Sequence, residues 1–98
     1  MTINKVANGK DLTISLAGRL DTTTSAKLEE ALASFDFKKD LVFDFKNLEY
    51  ISSAGLRLLL SYKKKLSIND LDVIVRNPND VVMEVFNITG FDKILKLE

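Results

Sequence analysis

Leu41-Val42-Phe43-Asp44-Phe45 leads through Lys46-Asn47-Leu48-Glu49-Tyr50-Ile51 into Ser52-Ser53-Ala54-Gly55-Leu56, and the change of pattern along these residues decides the fold. The first five are apolar and β-prone with only Asp44 interrupting, short enough for an interior strand. Beyond Ser53 the apolar positions switch to helical spacing, with Leu56, Leu59, Leu60 and Leu66 sharing one stripe. Ser52 or Ser53 supplies the cap, because a serine oxygen at a helix start accepts one of the backbone N–H groups that have no intrahelical partner.

Upstream, Thr2 to Ala7 and Asp11 to Ala17 flank Asn8-Gly9, a pair that tolerates the positive φ angles of a tight hairpin turn. In the second of these strands Leu12, Ile14 and Leu16 alternate with Thr13, Ser15 and Ala17, which predicts one buried face, and Gly18 ends it. The short polar run Asp21 to Ser25 caps a first helix carrying Leu28, Ala31, Leu32 and Phe35. Downstream, Lys63, Lys64 and Lys65 fall in the last turn of the second helix, where they suit the negative end of its dipole and read as a solvated face. Leu71 to Val75 predicts a further strand. Asn77-Pro78 breaks it before a helix holding Val82, Val85 and Phe86, and Gly90 closes that helix. Phe91, Ile94, Leu95 and Leu97 suggest a short final helix.

Strands alternating with helices after an opening hairpin predict an α/β fold in one small domain spanning residues 1–98. Its sheet is expected to be mixed but mostly parallel, four- to five-stranded, with the N-terminal β-hairpin at one edge and about four flanking helices. Ligands of such sheets bind beyond the carboxyl ends of the strands. The connections there are Gly18 to Ser25, Lys46 to Ala54 and Arg76 to Asp80.

The composition excludes much chemistry. The chain of 98 residues has no Cys and no His, so thiolate nucleophiles, disulfides, zinc centres and imidazole bases are absent. Lys plus Arg equals 14 and Asp plus Glu equals 14, which leaves no positive field to draw a nucleic acid backbone. No apolar stretch approaches the ~18 residues of a membrane span, and no basic segment with an apolar run opens the chain. A cytoplasmic protein without cofactor, metal or membrane insertion is expected. Asp44 and Glu49 form a conceivable acid/base pair, but no nucleophile, base or phosphate-binding Gly-rich loop accompanies them. Asp44 is expected to satisfy turn amides at its strand end, and Glu49 to be an exposed charge.

The paired hydroxyls Ser52 and Ser53 admit two readings. One is a plain helix cap worth about 1 kcal/mol, with Gly55 allowing another segment to approach closely. The other is a regulatory site: a phosphate there would face free N–H groups at the positive end of the helix dipole, while its −1.5 to −2 charges (about that at neutral pH) would oppose a docking partner.

The stretch Asp44 to Leu56 closely resembles the signature of the STAS family, the sulphate transporter and anti-sigma factor antagonist domain. Gly18-Arg19-Leu20-Asp21 resembles the family's first strand-to-helix loop, and Thr89-Gly90-Phe91-Asp92-Lys93-Ile94 its usual ending. The resemblance implies a non-enzymatic anti-sigma factor antagonist. In unphosphorylated form it would bind an anti-sigma factor with a histidine-kinase-like ATP-binding fold and free the sigma factor. That serine kinase would phosphorylate Ser53, with Ser52 as second choice, and a metal-dependent serine phosphatase would reverse the step. Many family members have Asp where this chain has Ser52, so a local negative charge is missing. Partner contacts are expected at Asp21, Thr22, Thr23, Ser52, Ala54, Gly55, Leu56 and Arg57. Asp21 can equally serve as a helix cap, and Arg57 as a solvated side chain. The alternative that the family offers is an accessory subunit of a membrane transporter, acting without phosphorylation.

Overall fold

In the computed structural model, which describes residues 1–98, the order is β1 (Thr2–Ala7), β2 (Asp11–Leu20), α1 (Thr22–Ala31), β3 (Asp40–Ile51), α2 (Ser53–Ser67), β4 (Val73–Arg76), α3 (Asp80–Thr89), a single 3-10 turn (Phe91–Lys93) and β5 (Lys96–Leu97). The strands lie side by side in chain order in one five-stranded sheet. Only β1 runs antiparallel to its neighbour; the other pairings are parallel. Right-handed crossovers between successive parallel neighbours put every connecting helix on the same face. The packing agrees: Phe43 and Phe45, two apart on β3, have ring centroids 6.2 Å from Tyr62 of α2 and 6.4 Å from Phe86 of α3.

The alternation expected in β2 is present, with Leu12, Ile14 and Leu16 buried and Thr13, Ser15 and Ala17 half-exposed. These leucines and isoleucine join Leu28 of α1 and Leu32 just after it, Leu56, Leu59 and Leu66 of α2, and Val82 and Phe86 of α3 in one core of 21 buried residues. Burying each large side chain contributes about 1.5–3 kcal/mol, the principal term that closes the helical layer over the sheet. The opposite face carries Thr13, Ser15, Val42, Asp44, Ile74 and Arg76 and no helix; Val42 is shielded there by its in-register neighbours Thr13 and Ile74.

The structure departs from the expected outline in several places. β3 does not stop at Phe45 but runs on to Ile51, because β2 offers it partners that far, so most of the expected Lys46 to Ala54 connection is strand; and β4 spans Val73–Arg76 rather than Leu71 to Val75. The hairpin turn contains no positive φ, because the Asn8 side chain closes it: Oδ1 accepts N–H bonds from Lys10 at 3.2 Å and Asp11 at 3.0 Å. Gly18 does not end β2. At φ 102° it adjusts the chain between two register shifts, and β2 goes on pairing with β3 to Leu20↔Ile51. Helix α1 stops at Ala31, so Phe35 lies in the following loop, edge-on to Phe37 at 4.8 Å. The lysines of α2 are only partly a solvated face: Lys63 pairs with Asp72 at 3.3 Å and the Lys65 ammonium lies 5.3 Å from the Phe37 ring centre. The expected final helix is the 3-10 turn followed by β5. Gly90 at φ 82° reverses the chain, and the polar backbone beyond it finds partners along β4, with the Glu98 N–H on the Val75 carbonyl at 2.9 Å.

Gly55 fixes how closely α2 approaches the sheet. A Cβ built there would lie 2.8 Å from Ile51 Cγ1 and 2.9 Å from Leu20 Cγ, and both neighbours are themselves buried. Gly55→Ala is therefore expected to lower stability by about 1–3 kcal/mol in urea unfolding. Gly9→Ala, whose added methyl meets nothing within 4 Å, serves as the control and is expected to stay within about 0.5 kcal/mol of the parent. Equal losses in the two variants would contradict this account.

Candidate functional site

The sheet is not level at its carboxyl end. β4 pairs with β3 only from Leu41 to Asp44, whereas β2 and β3 pair on to Leu20 and Ile51. This two-stranded projection ends in a backbone bond from the Ser52 N–H to the Leu20 carbonyl at 2.9 Å. Each strand then turns directly into a helix, so the N-termini of α1 and α2 start next to each other at the tip. α3 is tied to the same place, since Asn79 caps it by accepting the Val82 N–H at 2.8 Å and donates from Nδ2 to the Leu48 carbonyl at 3.0 Å.

The two serines have different places. Ser52, with extended backbone at φ −96° and ψ 176°, is the cap of α2: its Oγ accepts the Gly55 N–H at 3.4 Å and its carbonyl accepts the Leu56 N–H at 3.0 Å. Ser53 is the first helical residue, exposed, and its hydroxyl makes no hydrogen bond to the chain. The N–H groups of Ser53 and Ala54 have no intrahelical acceptor at this position, so the helix end faces outward with donors free.

Asp21 caps α1 through a reciprocal arrangement in which its carboxylate accepts the Thr24 N–H at 3.0 Å and its own N–H donates to Thr24 Oγ1 at 2.8 Å. Bonds from the Thr24 amide and hydroxyl hold the Asp21 carboxyl below its ordinary value of 3.8. It therefore stays ionised and places one fixed negative charge beside the start of α2. Thr22 and Thr23 follow it, both exposed.

Between the two helix starts lies a hollow of about 310 Å³, walled by Thr22, Ser25 and Glu29 of α1 and by Ala54, Arg57 and Ser61 of α2. Of the residues that the sequence assigned to a partner surface, Thr22, Ala54 and Arg57 line this hollow, and Asp21, Thr23 and Ser52 stand at the two helix starts with at least part of their surface open. Gly55 and Leu56 do not offer side-chain surface: both are buried, Leu56 to 7% exposure, and they act by seating α2. Asp44 accepts the Lys46 N–H at 3.0 Å and a bond from Asn77 Nδ2 at 3.2 Å, and Glu49 is exposed, so these two carboxylates do not converge on a common point.

Sequence reading missed three features of the site. The Arg19 guanidinium lies over the Tyr50 ring at 4.5 Å, a contact created by their pairing across β2 and β3. Thr24 completes the α1 cap, which the spacing Asp21-x-x-Thr24 would have suggested. The link from Asn79 to Leu48 carries no local signal at all, since 31 residues separate the partners.

Comparison with known proteins places this architecture. The STAS domain family model matches residues 2–98. An anti-sigma-B factor antagonist of Staphylococcus aureus (strain NCTC 8325 / PS 47) is 28% identical over 97 residues, covering 97% of this chain and 90% of that protein. An anti-sigma factor antagonist from Mycobacterium paratuberculosis superposes with a TM-score of 0.82 at 26% identity, over 98% of this chain and 83% of that one. The anti-sigma factor antagonist SpoIIAA shares the fold in its unphosphorylated form, with a TM-score of 0.84 at 20% identity over 99% of this chain and 88% of that one. In the phosphorylated form of the Bacillus protein the TM-score is 0.76 at 19% identity, over 99% and 91% of the two chains. With its sheet order, its paired helix starts and a family match over nearly its whole length, the chain belongs to the STAS domain family.

Proposed function

We propose that this protein is an anti-sigma factor antagonist whose unphosphorylated form binds a kinase-type anti-sigma factor, releases the sigma factor, and is switched off by phosphate on Ser53. The observation that carries the reading is the division of labour between the two serines. Ser52 alone caps α2, and the Ser53 hydroxyl stands exposed and unengaged at the first helical position. A phosphate there meets free N–H groups and the positive end of the dipole, so the fold bears it. A partner seated on the tip, against Thr22, Thr23, Ala54 and Arg57, has to desolvate or oppose that charge, so binding is lost. The chain is then substrate rather than enzyme, working in the cytoplasm between the anti-sigma kinase and a metal-dependent serine phosphatase. Support from outside the chain comes from relatives named as anti-sigma-B factor antagonists and from a fold-mate solved in a phosphorylated form.

Incubation with the cognate anti-sigma factor and ATP is expected to add one phosphate to the peptide containing Ser52 and Ser53, as read by mass spectrometry. Ser53→Ala is expected to abolish it while leaving stability within about 0.5 kcal/mol, because no bond of the fold is removed. Ser52→Ala is expected to keep the phosphate and to lose about 1 kcal/mol of stability with the cap. Phosphate that persists in Ser53→Ala would move the assignment to another residue. Recovery with a membrane permease, and no phosphate on this peptide, would instead favour a transporter subunit.

A further inference from the structure

Of the cations of α2, Arg57 and Lys64 enter no ion pair or ring contact, and of these two Arg57 lies one turn from Ser53. The ion pairs of the chain are Lys63 with Asp72 and Arg76 with Glu98, and neither involves Arg57. Lys65 is engaged by the Phe37 and Tyr62 rings. Helix α2, Ser53–Ser67, contains no Asp or Glu, so Arg57 has no acid on its own helix to pair with. Glu29 shares the hollow between α1 and α2 with Arg57 but forms no ion pair with it.

Position then matters. Ser53 and Arg57 are four residues apart on one helix, which brings their Cβ atoms to about 5–6 Å. Arg57 borders Thr22, Glu29 and Ser61 in the unmodified protein, and because helical side chains lean toward the N-terminus and lie over the preceding turn, a turn of its side chain brings the guanidinium back to Ser53. An anion placed four residues N-terminal to a cation is also the favoured order for such a pair. We propose that Arg57 is a phosphate clamp: when Ser53 carries phosphate, the guanidinium turns back along α2 and holds it by paired N–H bonds. The inference rests on Ser53 as the modified hydroxyl and adds what the modification does next.

The consequence is a switch with two parts. The phosphate adds negative charge at the tip, and the clamp withdraws the positive charge that Arg57 offers a partner when the hydroxyl is free. A planar fork suits a phosphate better than an ammonium does, so lysine should replace arginine only in part. The other charges facing the tip are Asp21, which opposes a phosphate, and Arg19, which is already stacked on Tyr50.

The test uses the full chain with phosphoserine installed at position 53 during synthesis, so that no kinase is needed. The phosphate is titrated by ³¹P NMR in the parent, in Arg57→Gln and in Arg57→Lys. A clamp favours the dianion, so the parent phosphate is expected to ionise about 0.5 pH units or more below the Arg57→Gln variant, with Arg57→Lys between them. The thermal midpoint is expected to rise with phosphate more in the parent than in Arg57→Gln. Equal ³¹P midpoints in parent and Arg57→Gln overturn the clamp. Failure of the kinase assay would overturn Ser53 as the natural target and leave this difference in midpoints standing, so the two ideas fail separately.

Discussion

The backbone bond from Ser52 to the Leu20 carbonyl, at 2.9 Å, closes the step on which the remainder of the site depends. It ends a stretch of parallel pairing that β2 and β3 make without help from β4. Two chain segments leaving a sheet normally diverge with its twist, and here they are held together until the residue at which each becomes a helix. The side chains then follow: Leu20, Leu48 and Ile51 are buried beneath the tip, and only a glycine at position 55 fits over Leu20 and Ile51. The site is thus built from the end of a core rather than from a loop laid over one.

Under the proposed switch, that construction would let the tip change its charge without changing its shape. The first turn of α2 is secured from below by apolar contacts and by the Ser52 cap, none of which uses the Ser53 hydroxyl. A phosphate added to that hydroxyl would displace none of these contacts. The energetic burden of such a modification would fall on a partner that covers the tip, since dehydrating a dianion costs far more than a surface ion pair returns. Asp21, kept ionised by Thr24, sharpens the contrast because it sets a negative background that the unmodified tip carries at all ordinary pH.

Much of this was legible in the sequence, and the parts that were not share a cause. The strand-to-helix change at Ser52, the alternation of Leu12, Ile14 and Leu16, and the paired acid and threonines after Leu20 are local patterns with local meaning. The family resemblance joined them into the STAS fold. Gly18 misled because a glycine that bends a strand and one that ends it look alike until register is known; here β3 offers partners beyond it and the strand continues. Phe91 to Leu97 misled for a related reason, since β5 exists only because β4 presents an unpaired side to it. Choosing between Ser52 and Ser53 was also beyond local reading. The two residues are chemically identical, and the backbone angle at Ser52, set by its bond to Leu20, decides which hydroxyl is consumed by the cap. Tyr62 is the exception: it falls on the stripe of Gly55, Leu59 and Leu66 and could have been assigned to the core from spacing alone.

The two residues of β5 have a further effect that concerns the protein in a crowded solution. β4 reads Val-Ile-Val-Arg, with its three apolar residues buried and one side of its backbone otherwise open to any passing strand. Lys96 and Leu97 occupy that side, with the Asn77 N–H closing on the Glu98 carbonyl at 3.2 Å and Arg76 pairing with the Glu98 side chain at 3.0 Å. A very short outer strand flanked by charges is a poor template for further pairing. Residues 96–98 therefore cover the side of β4 that another strand would otherwise find open.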